Sequence, residues 1–138
     1  MKFTINTEIS RSPDQVFAYL TDPAALPAWQ GTDEVIQLTP GPVGLGTRFR
    51  EVRTNLGKRI ESVTEVSAYE PNRAFGVRIV DGPVPIDGDW KLEGSSTATQ
   101  LAFTASGAGS HRLLKPILRR QFTKQHLKLK AILESEGP

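Results

Sequence analysis

The feature that most constrains this chain is its last long segment. Residues 112 to 133 read as one helix, and they follow a run of strand-like segments. Leu114, Leu118, Phe122, Gln125, Leu129 and Ile132 recur at steps of three and four, which puts them on one helix face. A single apolar helix stripe closing a β-rich chain must bury itself against a sheet. The simplest arrangement is one curved sheet with the helix across its concave side, a container with a lid. Pro116 interrupts the pattern. It predicts either a kink or a true helix start near Lys115, and Ser110 is the candidate cap for the longer version.

The sheet is legible from period-two alternation. Phe3, Ile5 and Ile9 alternate with Lys2, Thr4, Asn6 and Glu8 in a half-buried first strand. Ser12-Pro13-Asp14-Gln15 starts a short helix, with a capping serine, a proline at the first helical position and a glutamine where a capping box needs it. Val16, Phe17 and Leu20 form its apolar face. Asp22-Pro23 repeats the signal for a second short helix carrying Leu26 and Trp29 inward, and Gly31 ends it. Six more strands are expected at residues 35–38, 47–54, 58–69, 73–80, 84–93 and 97–106. They are separated by turns rich in Gly, Pro, Asn and Asp. Ile86, Gly88, Trp90 and Leu92 share one face of their strand, as do Leu101, Phe103 and Ala105 of the next, so one face of the sheet is wet. The expectation is an α+β fold. Its seven-stranded antiparallel sheet curves around a long C-terminal helix, and two short helices follow strand 1, all in a single domain spanning residues 1–138.

The carriers of a family resemblance are spread along the chain. They are Ser12-Pro13-Asp14-Gln15-Val16-Phe17, Leu26-Pro27-Ala28-Trp29, Gly44-Leu45-Gly46-Thr47-Arg48-Phe49, Val66-Ser67-Ala68-Tyr69-Glu70-Pro71-Asn72-Arg73 and the basic terminal helix. In this order and spacing they resemble the polyketide cyclase/dehydrase branch of the START-like, helix-grip superfamily (SRPBCC domains). The resemblance covers the whole chain. It implies a cavity between sheet and long helix that accepts apolar small molecules. It does not imply one activity, because that superfamily includes lipid carriers, hormone receptors, cyclases and co-chaperones.

Inward-facing candidates for such a cavity are Trp29, Phe49, Phe75, Val77, Trp90, Phe103 and Phe122. Each can equally serve as core filling. Glu51 and Arg53 are more pointed. If Phe49 faces inward, period two brings both to the same face. A buried carboxylate beside a guanidinium can orient a ligand or do acid–base work, with Arg53 as orienter and Glu51 as base. If Val52 sets the inward face instead, Arg48 and Arg50 point in. His126, on the long helix beside Gln125, is a further ligand-facing candidate, and His111 lies near the helix start.

Several functions find no support in the residues. The chain has no cysteine, so disulfides, thiolate metal sites and thiol nucleophiles are excluded. Two histidines more than a helical turn apart give no metal ligand set. No cofactor fingerprint, phosphate loop or nucleophile elbow is present, and Gly44-Leu45-Gly46 opens a strand instead of cradling phosphate. No membrane span or signal-peptide pattern is visible, so the expectation is a soluble, cytoplasmic protein.

The net charge of +2 hides an asymmetry. Residues 1–93 hold ten basic and thirteen acidic side chains, whereas residues 94–138 hold seven basic ones against Glu134 and Glu136. The basic run is Arg112, Lys115, Arg119, Arg120, Lys124, Lys128 and Lys130. It reads either as a solvated outer helix face or as a contact for an anionic membrane or acidic partner. Nucleic acid fits less well, because few aromatics stand among these residues to stack on bases.

Three functions remain open. The first is a carrier that sequesters a hydrophobic small molecule or lipid. The second is a cyclase- or dehydratase-type enzyme acting on a polyketide-like substrate. The third is an interaction module that uses the basic helix. A cavity holding Arg53 and Glu51 at hydrogen-bonding distance favours the enzyme. An apolar cavity with no paired charge favours the carrier.

Overall fold

The computed structural model describes residues 1–55, 57–107 and 114–135. Strand β1 (Lys2–Ile9) leads into helix α1 (Pro13–Leu20), a 3-10 turn (Pro23–Ala25) and helix α2 (Leu26–Gln30). Strands β2 (Glu34–Gln37), β3 (Arg48–Asn55), β4 (Lys58–Glu70), β5 (Ala74–Asp81), β6 (Ile86–Gly94) and β7 (Thr99–Gly107) follow. Helix α3 (Lys115–Ser135) closes the chain. All seven strands form one antiparallel sheet in the order β1-β7-β6-β5-β4-β3-β2. Sequential strands pair as hairpins, and only β1 reaches across to the end of the chain.

Local chemistry accounts for the boundaries. Ser12 precedes α1, and its backbone N–H donates to Gln15 Oε1 at 3.2 Å, the return half of a capping box. Asp22 Oδ1 accepts from the Ala24 N–H at 2.9 Å, which starts the 3-10 turn. Gly31, at φ 71°, ends α2 in the left-handed conformation that glycine adopts without a Cβ clash. Of the two outcomes Pro116 allows, the structure shows the helix start. Helix α3 begins at Lys115, and the Leu118 N–H donates to Leu114 O at 2.8 Å. Proline is tolerated there because first-turn N–H groups have no partner inside the helix. The alternative cap Ser110, with His111 and Arg112, lies outside the described residues.

The sheet buries one face. Along β6 the buried positions are Gly88, Trp90 and Leu92, with Ile86 half-buried, while Asp87, Asp89 and Lys91 are exposed. Register shifts at Val63/Thr64 and Val66/Ala68 bulge the β4–β5 pair. Such bulges bend a strand and increase its twist, which suits a sheet that wraps a helix.

Helix α3 lies along the edge strand β1. Arg119 Nη2 donates to Thr4 O at 3.4 Å and Lys130 Nζ to Glu8 O at 2.6 Å. Thr4 and Glu8 have the same parity along β1, so these two basic residues satisfy carbonyls on the strand edge that β7 does not use. An uncovered edge is a template for aggregation, and this one is partly closed by its own helix. Arg119 also lies over the Phe3 ring, 5.8 Å from its centre. Part of the basic run thus serves the fold. Lys115, Arg120, Lys124 and Lys128 are exposed and make no ion pair with a described residue.

Candidate functional site

A half-open cavity of ≈ 200 Å³ lies between the concave face of the sheet and the N-terminal half of α3. Strands β4 to β7 supply Ile60, Val77, Ile79, Ile86, Trp90 and Phe103, and the helix supplies Leu118 and Phe122. Gly88 forms part of the floor. A Cβ added there would sit 3.0 Å from Phe103 Cε1 and 3.4 Å from Trp90 Cη2, so the missing side chain helps keep the space open. Pro83 and Val84 of the β5–β6 turn, both exposed, stand at the rim.

The polar atoms of this cavity are few and unevenly committed. Arg53 Nη2 donates to Glu51 Oε1 at 2.7 Å and to Gln30 Oε1 at 2.5 Å. Glu51 is 6% exposed, and its second oxygen accepts from Thr64 Oγ1 at 2.8 Å. Register explains the cluster: β3 pairs Phe49 with Thr64 and Glu51 with Ser62, so Thr64 stands diagonal to Glu51 on the same face. Gln30 reaches in from the last turn of α2. Arg53, Thr64, Gln30 and Ser62 line the cavity, whereas Glu51 sits behind them with both oxygens bound. Across from this cluster, Gln121 and Gln125 of α3 also line the cavity. The side chains of Ser62, Gln121 and Gln125 have no hydrogen-bond partner among the described residues, so their polar groups are available to a ligand.

The remaining candidates fall on either side of the cavity wall. Trp90, Phe103, Phe122 and Arg53 line it. Phe49 and Phe75 line a smaller hollow of ≈ 40 Å³ under α1 and α2, which shares Gln30, Val77 and Trp90 with the first. Trp29 and His126 lie deeper, each 1% exposed, and line neither space. His126 Nε2 accepts from Trp90 Nε1 at 3.0 Å, and its Nδ1–H donates to Phe122 O at 2.7 Å. That pattern requires the neutral imidazole with its proton on Nδ1. Burial keeps its pKa below the ordinary 6.5, partly offset by the Phe122 carbonyl. The ring stacks on Phe103 at 4.8 Å and meets Trp29 edge-on at 5.7 Å. With both nitrogens bound, His126 ties α3 to the sheet and has none left for a ligand. His111 lies outside the described residues.

The polar lining residues Gln30, Gln121 and Ser62 were not singled out by pattern. For Ser62 and Thr64 a signal existed, since they share a face with Ile60 and Val66 on β4. Gln30 gave none, because its role depends on how α2 crosses β3. Among the described residues no group of three or more His, Asp or Glu is placed to hold a metal ion. Among them, too, no helix is long and apolar enough to cross a membrane.

An antiparallel sheet gripping one long helix over a cavity is the architecture of the START-like proteins. The chain belongs to the family described as polyketide cyclase / dehydrase and lipid transport, whose model matches residues 1–134. Solved structures share the fold at low identity. A START superfamily protein from Mycobacterium smegmatis superposes with a TM-score of 0.84 at 13% identity, covering 99% of both chains. An aromatase/cyclase from Streptomyces gives 0.81 at 15%, covering 97% of this chain and 93% of the other. The Aha1 dimer of Colwellia psychrerythraea gives 0.76 at 20%, covering 97% and 96%. No curated protein matches the sequence. At these identities the likeness establishes the fold alone.

Proposed function

We propose that this protein binds a hydrophobic small molecule or lipid in the cavity between the sheet and α3, as a carrier or sequestering protein. The observation that carries this reading is the cavity itself, walled by Ile60, Val77, Ile79, Trp90, Phe103 and Leu118 with a handful of polar groups at its margins. Apolar walls supply the drive for binding and a few fixed polar groups supply orientation. Membership in a family of cyclases, dehydrases and lipid transport proteins points the same way. The test is native mass spectrometry of the protein taken from cells, followed by extraction and identification of bound lipids. A copurifying apolar molecule, or a rise in melting temperature with members of a hydrophobic library, is expected. A bare protein that no member of such a library stabilises would overturn the reading.

A second reading is a cyclase- or dehydratase-type enzyme acting on a polyketide-like substrate. The pairing of Arg53 with Glu51 at 2.7 Å favours it. The position of Glu51 weighs against it as base, because both oxygens are occupied and neither faces the cavity. In this reading Arg53 orients a substrate carbonyl, and Arg53→Met removes turnover while leaving apolar binding in place. Turnover that survives Arg53→Met would exclude that role.

The exposed Lys115, Arg120, Lys124 and Lys128 leave a third use, contact with an anionic membrane or acidic partner. Replacing all four with Gln then abolishes liposome binding. A parent protein that does not bind anionic liposomes would reject that use.

A further inference from the structure

The polar margin of the cavity carries a statement about which apolar molecules it accepts. We infer that the site takes a hydrophobic ligand bearing a neutral oxygen group, such as a ketone, ester or phenol, and discriminates against the same skeleton bearing a carboxylate. This rests on the cavity being the binding site.

Among the described residues that line the cavity, Arg53 is the only charged one. A guanidinium has five N–H donors. Nη2 is fully used, one hydrogen on Glu51 and one on Gln30, whereas Nε and Nη1 have no partner among the described residues. Three donors therefore remain for an oxygen acceptor. The charge of Arg53, however, is already matched. Glu51 is buried directly behind it and held in place by Thr64, so it cannot swing out to make room for a second carboxylate. The cluster of Gln30, Glu51, Arg53 and Thr64 is electrically neutral as it stands.

Two ligand classes then meet different environments. A carbonyl or phenol oxygen accepts from Nε or Nη1 and leaves the local charge unchanged. A carboxylate accepts the same hydrogen bonds but adds a negative charge with no matching cation, close to the negative charge of Glu51, in a largely apolar space. An uncompensated charge in such a place is costly, and a like charge nearby adds to the cost. The other free polar groups, on Ser62, Gln121 and Gln125, are neutral and do not offset it. The exposed cations Lys115, Arg120 and Lys124 draw anions to the outside of α3. Facing solvent, they are screened over a Debye length of about 10 Å and do not supply a counter-ion inside. The charge pattern thus excludes free fatty acids and aromatic acids and favours their neutral relatives.

The experiment uses the intact protein and three probes on one skeleton: 2-ethylnaphthalene, 2-acetylnaphthalene and 2-naphthoate. Dissociation constants are measured by titration calorimetry near neutral pH, where the acid is ionised. The expected order has the ketone tightest, with the carboxylate weaker by about ten-fold or more. In Glu51→Gln, which frees the charge of Arg53, the carboxylate gains about ten-fold relative to the parent and the preference shrinks or reverses. Should that variant not fold, the ratio in the parent protein decides alone. A carboxylate that binds the parent as tightly as the ketone overturns the inference. If the hydrocarbon binds but the ketone binds no better, this inference falls and the cavity reading survives. If no probe binds, this inference falls, and the cavity reading is decided by native mass spectrometry and the hydrophobic library.

Discussion

Helix α3 meets the same sheet in two different ways along its length, and the contrast separates architecture from function. Toward its C-terminal end His126, Leu129 and Leu133 are buried against a filled interior that includes Trp29, Trp90, Phe103 and Leu92. Toward its N-terminal end Leu118, Gln121 and Phe122 are only half-buried and face a cavity, and Ile117 is 62% exposed. The facing strands account for the difference. Along β6 the inward side chains run Leu92 and Trp90 at the filled end, then nothing at Gly88, then Ile86 in the cavity wall. Along β5 they run Phe75, then Val77 and Ile79, and β4 contributes Ser62 and Thr64. One end of the sheet carries large rings, and the other carries aliphatic and small polar side chains with none at Gly88. A sheet and a helix that are both amphipathic do not by themselves make a container. The void comes from the taper in side-chain size.

Changes at the two ends should therefore have different readouts. The largest effect belongs to the filled end. Leu129, fully buried, anchors α3, and Leu129→Ala should cost about 2–5 kcal/mol in urea denaturation, with little effect on the ligand preference of what remains folded. A loss under about 1 kcal/mol would mean that the filled end is not close-packed. At the open end, Gly88→Val should fill the cavity floor and weaken apolar ligands by about ten-fold or more. Its cost in stability should be smaller than that of Leu129→Ala, because the atoms nearest to the new Cβ are rings of Phe103 and Trp90 that border the cavity and have room there to give way. Unchanged affinity in Gly88→Val would move the ligand elsewhere.

The next effect is a pH dependence confined to the filled end. The pKa of His126 is depressed in the fold, so the unfolded chain takes up a proton at higher pH than the native one. The stability this represents is complete above the unfolded value near 6.5. It is lost as pH falls below it, and levels off at the lower folded pKa. Glu65 and Glu134, whose pKa values are lowered by Arg48 and by Lys130 respectively, act only below the carboxylate value of 4.5, which leaves a separate window. Melting temperature should fall as pH drops below about 6.5 in the parent and stay flatter in His126→Gln. Equal slopes would show that the ring is not held neutral. The smallest effect is on the surface. The Arg59–Glu61 pair is exposed on both sides, and Arg59→Ala should change stability by no more than about 0.5 kcal/mol.

Much of this contrast could be read from the residues, and the part that could not has a clear cause. Period two on β6 and β7 identified the inward faces, and capping signals located α1 and α2, because those cues are local. Gly88 was visible as an inward position, but a missing side chain becomes a cavity only when Phe103 and Trp90 are seen around it. Glu51 and Arg53 could be assigned to one face, yet which of their polar atoms stay free depends on Gln30, 23 residues away in sequence, and on the register with Thr64. The bond from Trp90 to His126 spans 36 residues and depends on where α3 crosses the sheet. The basic run of α3 gave the strongest compositional signal, and two of its members, Arg119 and Lys130, turn out to cover the edge of β1.

The open end is thus proposed as the binding site and the filled end as its scaffold. Methyl NMR of the intact protein during titration with 2-acetylnaphthalene tests it most directly. Saturating shifts at Ile60, Ile79, Ile86 and Leu118, with Leu129 and Leu133 nearly still, are the predicted result. Shifts concentrated at Leu129 and Leu133, or on the exposed Leu127, would contradict it.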